Sequence, residues 1–98
     1  MLSLIGDLDM WTLPTAKEQV QTLIEEKKVN LVLDLERTNY IDSSGLGFFI
    51  GTLKNLRDAG GNLVLINLNS YIYGIFTLIQ LQHIIKTYDS LEEASKDF

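Results

Sequence analysis

The segment Asp42–Gly47, with the sequence Asp-Ser-Ser-Gly-Leu-Gly, holds the residues of this chain best suited to chemistry. Asp and Ser are preferred at a helix N-cap and glycine permits two backbones to approach closely, so the segment can simply be the start of a helix. It can also present a serine hydroxyl at the positive end of a helix dipole, where N–H groups support a phosphate or another anion. The spacing alone leaves both interpretations open.

The sequence gives little support to a catalytic role for this segment or for the rest of the chain. The segment lacks the Gly-x-Ser-x-Gly pattern of a serine hydrolase, and His83 is the only histidine that could serve as a base. A phosphate-binding loop ending in Gly-Lys-Ser/Thr is absent. The chain has no cysteine, which excludes disulfides, thiol catalysis and Cys-ligated zinc or iron–sulfur clusters. We therefore expect no enzyme activity, no metal and no cofactor.

Composition indicates a single domain spanning residues 1–98. Apolar residues make up 46% and charged residues 21% of the chain, as in soluble globular domains. The net charge is −5 and the basic residues do not cluster, which argues against direct binding to nucleic acid. The longest apolar run, Leu46–Gly51, is too short to cross a bilayer, and the first residues do not resemble a signal peptide. We expect a cytoplasmic protein without membrane insertion.

Hydrophobic periodicity alternates between short strands and amphipathic helices. This alternation predicts an α/β sandwich with four helices around a four-stranded, mostly parallel sheet. The strands are predicted near Leu2–Ile5, Leu31–Leu35, Leu63–Ile66 and Ile84–Tyr88. The predicted inner faces of the four helices are, in chain order, Ala16, Val20, Leu23, Ile24 and Lys27; Leu46, Phe49, Ile50, Leu53 and Leu56; Ile72, Ile75, Phe76 and Ile79; and Leu91 and Ala94.

Large side chains near two of the predicted helix starts have more than one interpretation. Met10 and Trp11 precede the first helix, where we expect them to pack or to form a hydrophobic staple, with a docking anchor as the alternative. Tyr71 and Tyr73 are two positions apart on the third helix and cannot both face the core. We therefore expect one of them to be exposed, which hints at an interface.

Five segments, read together, resemble a STAS domain, and most of all the bacterial anti-sigma factor antagonists. The similarity covers nearly the whole chain in the correct order and implies a STAS-like sandwich. Members of the family usually begin with one more strand, so we expect the family's first strand to be missing here. The segments that carry the similarity are Gly6–Asp9, Val32–Leu35, Tyr40–Gly47, Gly60–Leu65 and Tyr88–Ala94.

The resemblance implies a phosphorylation-regulated antagonist in a partner-switching pathway. Antagonists of this family bind an anti-sigma factor that is also a serine kinase, and binding frees a sigma factor. The kinase phosphorylates the second serine of the Asp-Ser-Ser-Gly motif, and a phosphatase of the PP2C type reverses the reaction. Carried onto this chain, the phosphorylated residue is Ser44, and the expected partner interface comprises Asp9, Asp42, Ser43, Ser44, Gly45 and Leu46.

A second interpretation keeps the fold but not the switch. The chain would then be a non-switching STAS scaffold, or a subunit of a stress-signalling or transport complex. The serine pair Ser43-Ser44 favours the switch, whereas the short N-terminus and the apolar third helix favour the scaffold. A missing first strand would leave one sheet edge unpaired, so we also expect a homodimer, formed through that edge or through the third helix.

Overall fold

Strands and helices alternate along the chain in the computed structural model, which describes residues 2–97. The strands are β1 (Leu2–Ile5), β2 (Asn30–Arg37), β3 (Asn62–Ile66) and β4 (Lys86–Tyr88). The helices are α1 (Leu13–Glu25), α2 (Ser43–Asp58), α3 (Ser70–Leu78) and α4 (Leu91–Ala94), with short 3-10 turns at Leu81–His83 and Ser95–Asp97. None of the helices in the described part of the chain has the length and apolar character that crossing a bilayer requires.

The four strands form one sheet in the order β1-β2-β3-β4, and every neighbouring pair is parallel. This arrangement confirms the predicted α/β sandwich. Because parallel crossovers are right-handed and the strand order never reverses, the connecting helices α1, α2 and α3 lie on the same face of the sheet. The carboxyl ends of the strands then lie together along one end of the molecule.

The side chains of the central strands alternate between two unequal core clusters. Leu31, Leu33 and Leu35 of β2 face the larger cluster, which α1, α2 and α3 cover. Val32 of β2 faces the opposite side, where Ala94 of α4 lies in the smaller cluster. Both faces are therefore buried at the centre of the sheet, which explains the nearly continuous apolar runs of these strands.

The inner face of α2 differs from the prediction by a rotation of the helix. Phe49, Leu53 and Leu56 are buried as predicted, but Ile50 is 46% exposed and Phe48 lies inside in its place. The Phe48 ring packs against the Phe49 ring at 5.8 Å. The prediction used helical spacing alone, whereas α2 packs against α1 as well as against the sheet, and Phe48 is buried on the side that faces α1.

The other helices are shorter than their apolar patterns. Ile72 and Phe76 are buried as predicted, whereas Ile79 follows the last residue of α3 and is 46% exposed. Lys27 likewise lies beyond α1, in a left-handed conformation with φ 63°, and is exposed. In α4, only the prediction for Ala94 is confirmed, because Leu91 is 44% exposed. Ala16 and Val20 are buried as predicted, while Leu23, Ile24, Leu46 and Ile75 are half-buried.

Strand β4 begins later than predicted. The expected strand Ile84–Tyr88 is reduced to Lys86–Tyr88. The N–H groups of Ile84 and Ile85 both donate to the Leu81 carbonyl at 2.9 Å, so these two residues close a turn instead of extending the ladder. Ile85 nevertheless reaches the core, where it is fully buried. The apolar pattern predicted burial correctly here but could not distinguish a strand from a buried turn.

Candidate functional site

The candidate residues lie in the loops that follow β1 and β2, and these loops run side by side. Leu8 and Ile41 form an isolated parallel bridge. The Leu8 N–H donates to the Tyr40 carbonyl at 2.9 Å, and the Asp42 N–H donates to the Leu8 carbonyl at 3.2 Å. Asp9 and Asp42, which directly follow the bridged residues, are therefore held on neighbouring loops at the carboxyl end of the sheet.

Asp42 is the N-cap of α2. Its backbone is extended, and its side-chain oxygen Oδ1 accepts a hydrogen bond from the Gly45 N–H at 3.1 Å. Ser43 and Ser44 are the first two helical residues, and both are exposed. The N–H groups of a first helical turn have no acceptor within the helix. The Ser44 hydroxyl thus lies at the surface, at the positive end of the α2 dipole.

Gly45 fixes the position of this helix start. It is buried, and a Cβ atom added to it would lie 3.1 Å from the Leu8 carbonyl oxygen and 3.2 Å from the Ile41 Cβ. A larger residue would push α2 away from the β1–α1 loop. The role of Gly45 is therefore packing beneath the surface, and it has little area of its own to offer a partner. Leu46, the next predicted interface residue, is half-buried.

Asp9 braces the β1–α1 loop. Its Oδ1 atom accepts hydrogen bonds from the N–H groups of Trp11 at 2.9 Å and Thr12 at 3.1 Å. The Thr12 hydroxyl in turn accepts from the Asp9 N–H at 3.1 Å and donates to the Asp7 carbonyl at 2.6 Å. This is the local side-chain-to-backbone bonding by which Asp commonly fixes a turn. Asp9 is half-buried, and its carboxylate is engaged within the loop.

Met10 and Trp11, which lie in this turn, do not pack as the sequence analysis predicted. Met10 is 66% exposed and Trp11 is 83% exposed, so the predicted packing or hydrophobic staple is wrong. Tyr71 and Tyr73 are both about half exposed, at 49% and 48%, whereas only one was expected to be. A sequence signal was present in Asp9, because Asp commonly accepts a hydrogen bond from the backbone two residues ahead and so favours a turn at Trp11.

Tyr71 has an aromatic partner that sequence reasoning missed altogether. Its ring stacks on the ring of Tyr40, with 6.0 Å between the ring centroids and 15° between the ring planes. Tyr40 belongs to the loop before Asp42, and it is 45% exposed. Residues 31 positions apart in the sequence are thereby joined beside the start of α2. No local pattern could predict this contact, which depends on the neighbouring positions of β2 and β3 in the sheet.

Ser44 also lies at one end of a groove between α1 and α2. The groove has a volume of about 660 Å³, and Leu13, Val20 and Phe48 supply apolar walls. Gly47 and Gly51 follow Ser44 along α2, and the space beside their Cα atoms is open. The surface next to the serine is therefore shaped to receive other groups.

This end of the molecule presents an exposed serine hydroxyl beside an open groove. His83 lies in the turn after α3, which places it toward the opposite end of the sheet. Within residues 2–97, no group of three His, Asp or Glu side chains could hold a metal ion.

Comparison with known proteins identifies the family. The STAS domain model matches residues 1–94. The anti-sigma-B factor antagonist of Listeria monocytogenes is 35% identical over 81 residues, which are 83% of this chain and 71% of the relative. The corresponding antagonist of Bacillus subtilis is 33% identical over 84 residues, covering 86% and 76% of the two chains.

Solved structures agree with the sequence comparison. A Thermotoga maritima protein described as an anti-sigma factor antagonist superposes with a TM-score of 0.78 at 26% identity, over 97% of this chain and 84% of its own. The Bacillus cell fate determinant SpoIIAA in its phosphorylated form superposes with a TM-score of 0.73 at 25% identity, over 97% and 85%. Its unphosphorylated form also gives a TM-score of 0.73. By fold and by sequence, this chain belongs to the STAS domain family.

Proposed function

We propose that this chain is a phosphorylation-regulated antagonist of an anti-sigma factor. It binds a cytoplasmic anti-sigma factor that is also a serine kinase, and this binding frees a sigma factor. The kinase phosphorylates Ser44, and a PP2C-type phosphatase removes the phosphate. The chain itself catalyses nothing and acts by contact. The observation that carries the proposal is the exposed Ser44 hydroxyl at the start of α2, in a chain whose relatives are named anti-sigma-B factor antagonists.

The position of Ser44 suits a switch that leaves the fold intact. A phosphate there adds a charge of about −1.5 to −2 at neutral pH. The α2 dipole favours negative charge at this end, and Asp42 already holds the helix start through the Gly45 N–H. We therefore expect phosphorylation to change the surface of the domain and not its structure.

The effect on a partner is much larger than the effect on the fold. A partner that packs against the bare hydroxyl would meet a dianion close to the carboxylates of Asp9 and Asp42. Burying such a group without a matching cation costs several kcal/mol, on the order of the energy of a complete interface hot spot. Phosphorylation of Ser44 would thus release the partner.

A kinase assay tests the assignment of the serine. The purified chain is incubated with the serine-kinase anti-sigma factor encoded in the same genome, with ATP and Mg²⁺, and analysed by mass spectrometry. We expect one phosphate on the wild type and on Ser43→Ala, and none on Ser44→Ala. Since Ser43 and Ser44 are adjacent and both exposed, Ser43→Ala is a matched control. Phosphate on Ser44→Ala would overturn the assignment.

A binding titration tests the switch. Ser44→Ala should bind the unphosphorylated partner like the wild type. Ser44→Asp should bind at least ~10-fold more weakly, which corresponds to 1.4 kcal/mol. Circular dichroism should show the same fold for both variants. If Ser44→Asp binds as tightly as the wild type, the non-switching scaffold becomes the better interpretation.

We also propose that the chain forms a homodimer. The outer edge of β1 has no strand paired with it within the described residues, because β1 is the first strand of the sheet and pairs only with β2. Unpaired edges of this kind are common sites of strand addition between chains. The exposed side chain of Leu78 on α3 offers the alternative surface.

A further inference from the structure

We propose that Trp11, with its neighbour Met10, and the stacked Tyr40–Tyr71 pair are the apolar anchors that hold the anti-sigma factor on this chain. These residues flank the start of α2 from both sides. The inference rests on the proposed function, and it adds the side chains that provide most of the affinity. It does not follow from the serine motif, which lies in a different segment of the chain.

The exposed aromatic residues are concentrated at one end of the molecule. Among the described residues, the exposed aromatic side chains are Trp11, Tyr40, Tyr71 and Tyr73. Trp11 lies in the loop after β1, Tyr40 in the loop after β2, and Tyr71 in the first turn of α3. Since β2 lies between β1 and β3, the start of α2 lies between Trp11 and Tyr71. Exposed aromatic residues grouped in this way are typical of protein interfaces.

The hydrogen bonds of the β1–α1 loop hold Trp11 in its exposed position. The Asp9 carboxylate accepts from the Trp11 N–H, and Thr12 bridges Asp9 and Asp7. The backbone on both sides of Trp11 is thus fixed before any partner binds, which lowers the entropy lost on binding. Beside it lies a groove of about 390 Å³ between β1 and α1, lined in part by Leu4, Leu8 and Ala16. Polar side chains of Ser3, Thr15 and Gln19 also line this groove, so the exposed indole lies beside a partly apolar depression into which a partner side chain can fit.

The charges at this end indicate the chemistry of the occupant. The loops at residues 6–12, 38–42 and 67–69 contain the carboxylates of Asp7, Asp9 and Asp42, and no Lys or Arg. A complementary partner therefore presents apolar sockets for the aromatic residues, with basic side chains around them. These basic side chains would pair with the carboxylates of the loops, whereas the part of the partner that packs on the Ser44 hydroxyl would offer no cation and no space to a phosphate, as the proposed function requires. Because this surface adjoins Ser44, the partner that covers both of them is the anti-sigma factor of the proposed function.

Trp11 is the only tryptophan in the chain, so a label on tryptophan reports on this position alone. The chain is labelled with 5-fluorotryptophan and titrated with the unlabelled anti-sigma factor from the same genome. We expect the fluorine resonance of Trp11 to shift and to lose its exposure to solvent on binding. We also expect the affinity to fall as the salt concentration is raised, because the carboxylates contribute to the interface.

Alanine variants measure the contribution of each anchor. Trp11→Ala should weaken binding at least ~10-fold, and Tyr71→Ala should weaken it several-fold, as is usual for aromatic hot spots. Ile84→Ala is the matched control: Ile84 is 48% exposed, but it lies in the turn before β4, at the opposite end of the sheet from the loops that follow β1 and β2. We expect its affinity to stay within about twofold of the wild type.

The outcomes separate this inference from the proposed function. If the wild-type chain does not bind the anti-sigma factor at all, the proposed function fails. If the wild type binds but Trp11→Ala binds equally well, or the Trp11 label keeps its exposure in the complex, the anchor assignment is wrong while the function stands. If the label becomes protected at high concentration of the chain alone, the surface is an interface between two copies, and the proposal is overturned.

Discussion

The position of Ser44 at the surface is determined by the contacts of the neighbouring residues Asp42 and Gly45. Asp42 caps the helix through the Gly45 N–H, and Gly45 packs against Leu8 and Ile41. The helix start is thus fixed on the inside, while the two serines are left outside. A partner that packs against a hydroxyl held in a fixed position loses less conformational entropy than one that must order a mobile loop.

The cap is a first test at this scale. Asp42→Ala removes the acceptor for the Gly45 N–H and should lower the free energy of unfolding by about 1 kcal/mol. For a domain of this size, that corresponds to a fall of roughly 4–8 °C in the melting temperature. Asp42→Asn is the control, since the amide oxygen can still cap the helix. Equal melting temperatures for Asp42→Ala and the wild type would contradict the role of the cap.

Asp9 gives a second residue-scale prediction. The family resemblance places it in the partner interface, whereas in the structure its carboxylate holds the Trp11 and Thr12 N–H groups. We expect Asp9→Ala to release the loop, which would lower the fluorescence anisotropy of Trp11 in the free chain. Asp9→Asn retains an acceptor oxygen and should leave the anisotropy nearly unchanged. Identical anisotropy in Asp9→Ala would show that the turn is held by other bonds.

At the scale of elements, sequence periodicity predicted all four strands, all four helices and most of their buried residues, but it did not place every residue on the correct face. The miss in α2 is instructive, because Phe48 and Ile50 are both apolar and only the position of α1 decides which one is buried. Helix ends were missed for a similar reason: the helical spacing of the inner positions extends to Lys27 and Ile79, although α1 and α3 end before these residues. The spacing of apolar residues along the chain shows whether a segment is a helix or a strand. The elements packed against that segment decide which of its residues are buried.

Thr38 shows how one side chain joins two elements. It is fully buried at the end of β2, and its hydroxyl donates to the Leu4 carbonyl of β1 at 2.9 Å. The strand register shifts at this point, between Ser3 and Ile5. Thr38→Val keeps the shape but leaves that carbonyl without its hydroxyl donor, so we expect a loss of about 1–3 kcal/mol in the free energy of unfolding. Urea titration should show the loss for Thr38→Val and most of the stability retained in Thr38→Ser.

Gly61 gives a second prediction at the scale of elements. A Cβ atom there would overlap the carbonyl of Val29, where the chains before β2 and β3 run together. We expect Gly61→Ala to lower the free energy of unfolding by at least ~2 kcal/mol, because backbone atoms must move. Gly51→Ala is the control: it lies in the interior of α2 with open space around it, and should stabilise the helix by roughly 0.5–1 kcal/mol. Equal stability of the two variants would contradict this packing.

At the scale of the whole molecule, the sequence located one part of the candidate surface and missed another. The Asp42–Gly47 segment was identifiable because its residue types follow one another along the chain. The aromatic part was not identifiable as one surface, although Trp11 and one of the α3 tyrosines were each a possible contact residue, because Trp11, Tyr40 and Tyr71 lie in three separate segments that only the parallel sheet brings to one end. Their exposure was not predictable from residue type either, because tryptophan and tyrosine occur both inside folded proteins and at their surfaces.

The assembly of the chain is the prediction that belongs to this scale. If two copies pair through β1, a two-fold axis would place Ser3, which is exposed in the middle of the strand, close to its equivalent in the second copy. Ser3→Lys would then set two like charges against each other and should shift a dimer toward the monomer. Leu78→Lys is the matched variant on α3, and it should dissociate the dimer only if that helix forms the interface. Light scattering at high micromolar concentration distinguishes these cases. A wild-type chain that stays monomeric at every concentration would contradict dimerisation. The shortness of β1 would then be what prevents pairing, since four residues offer few backbone groups to a strand of a second chain.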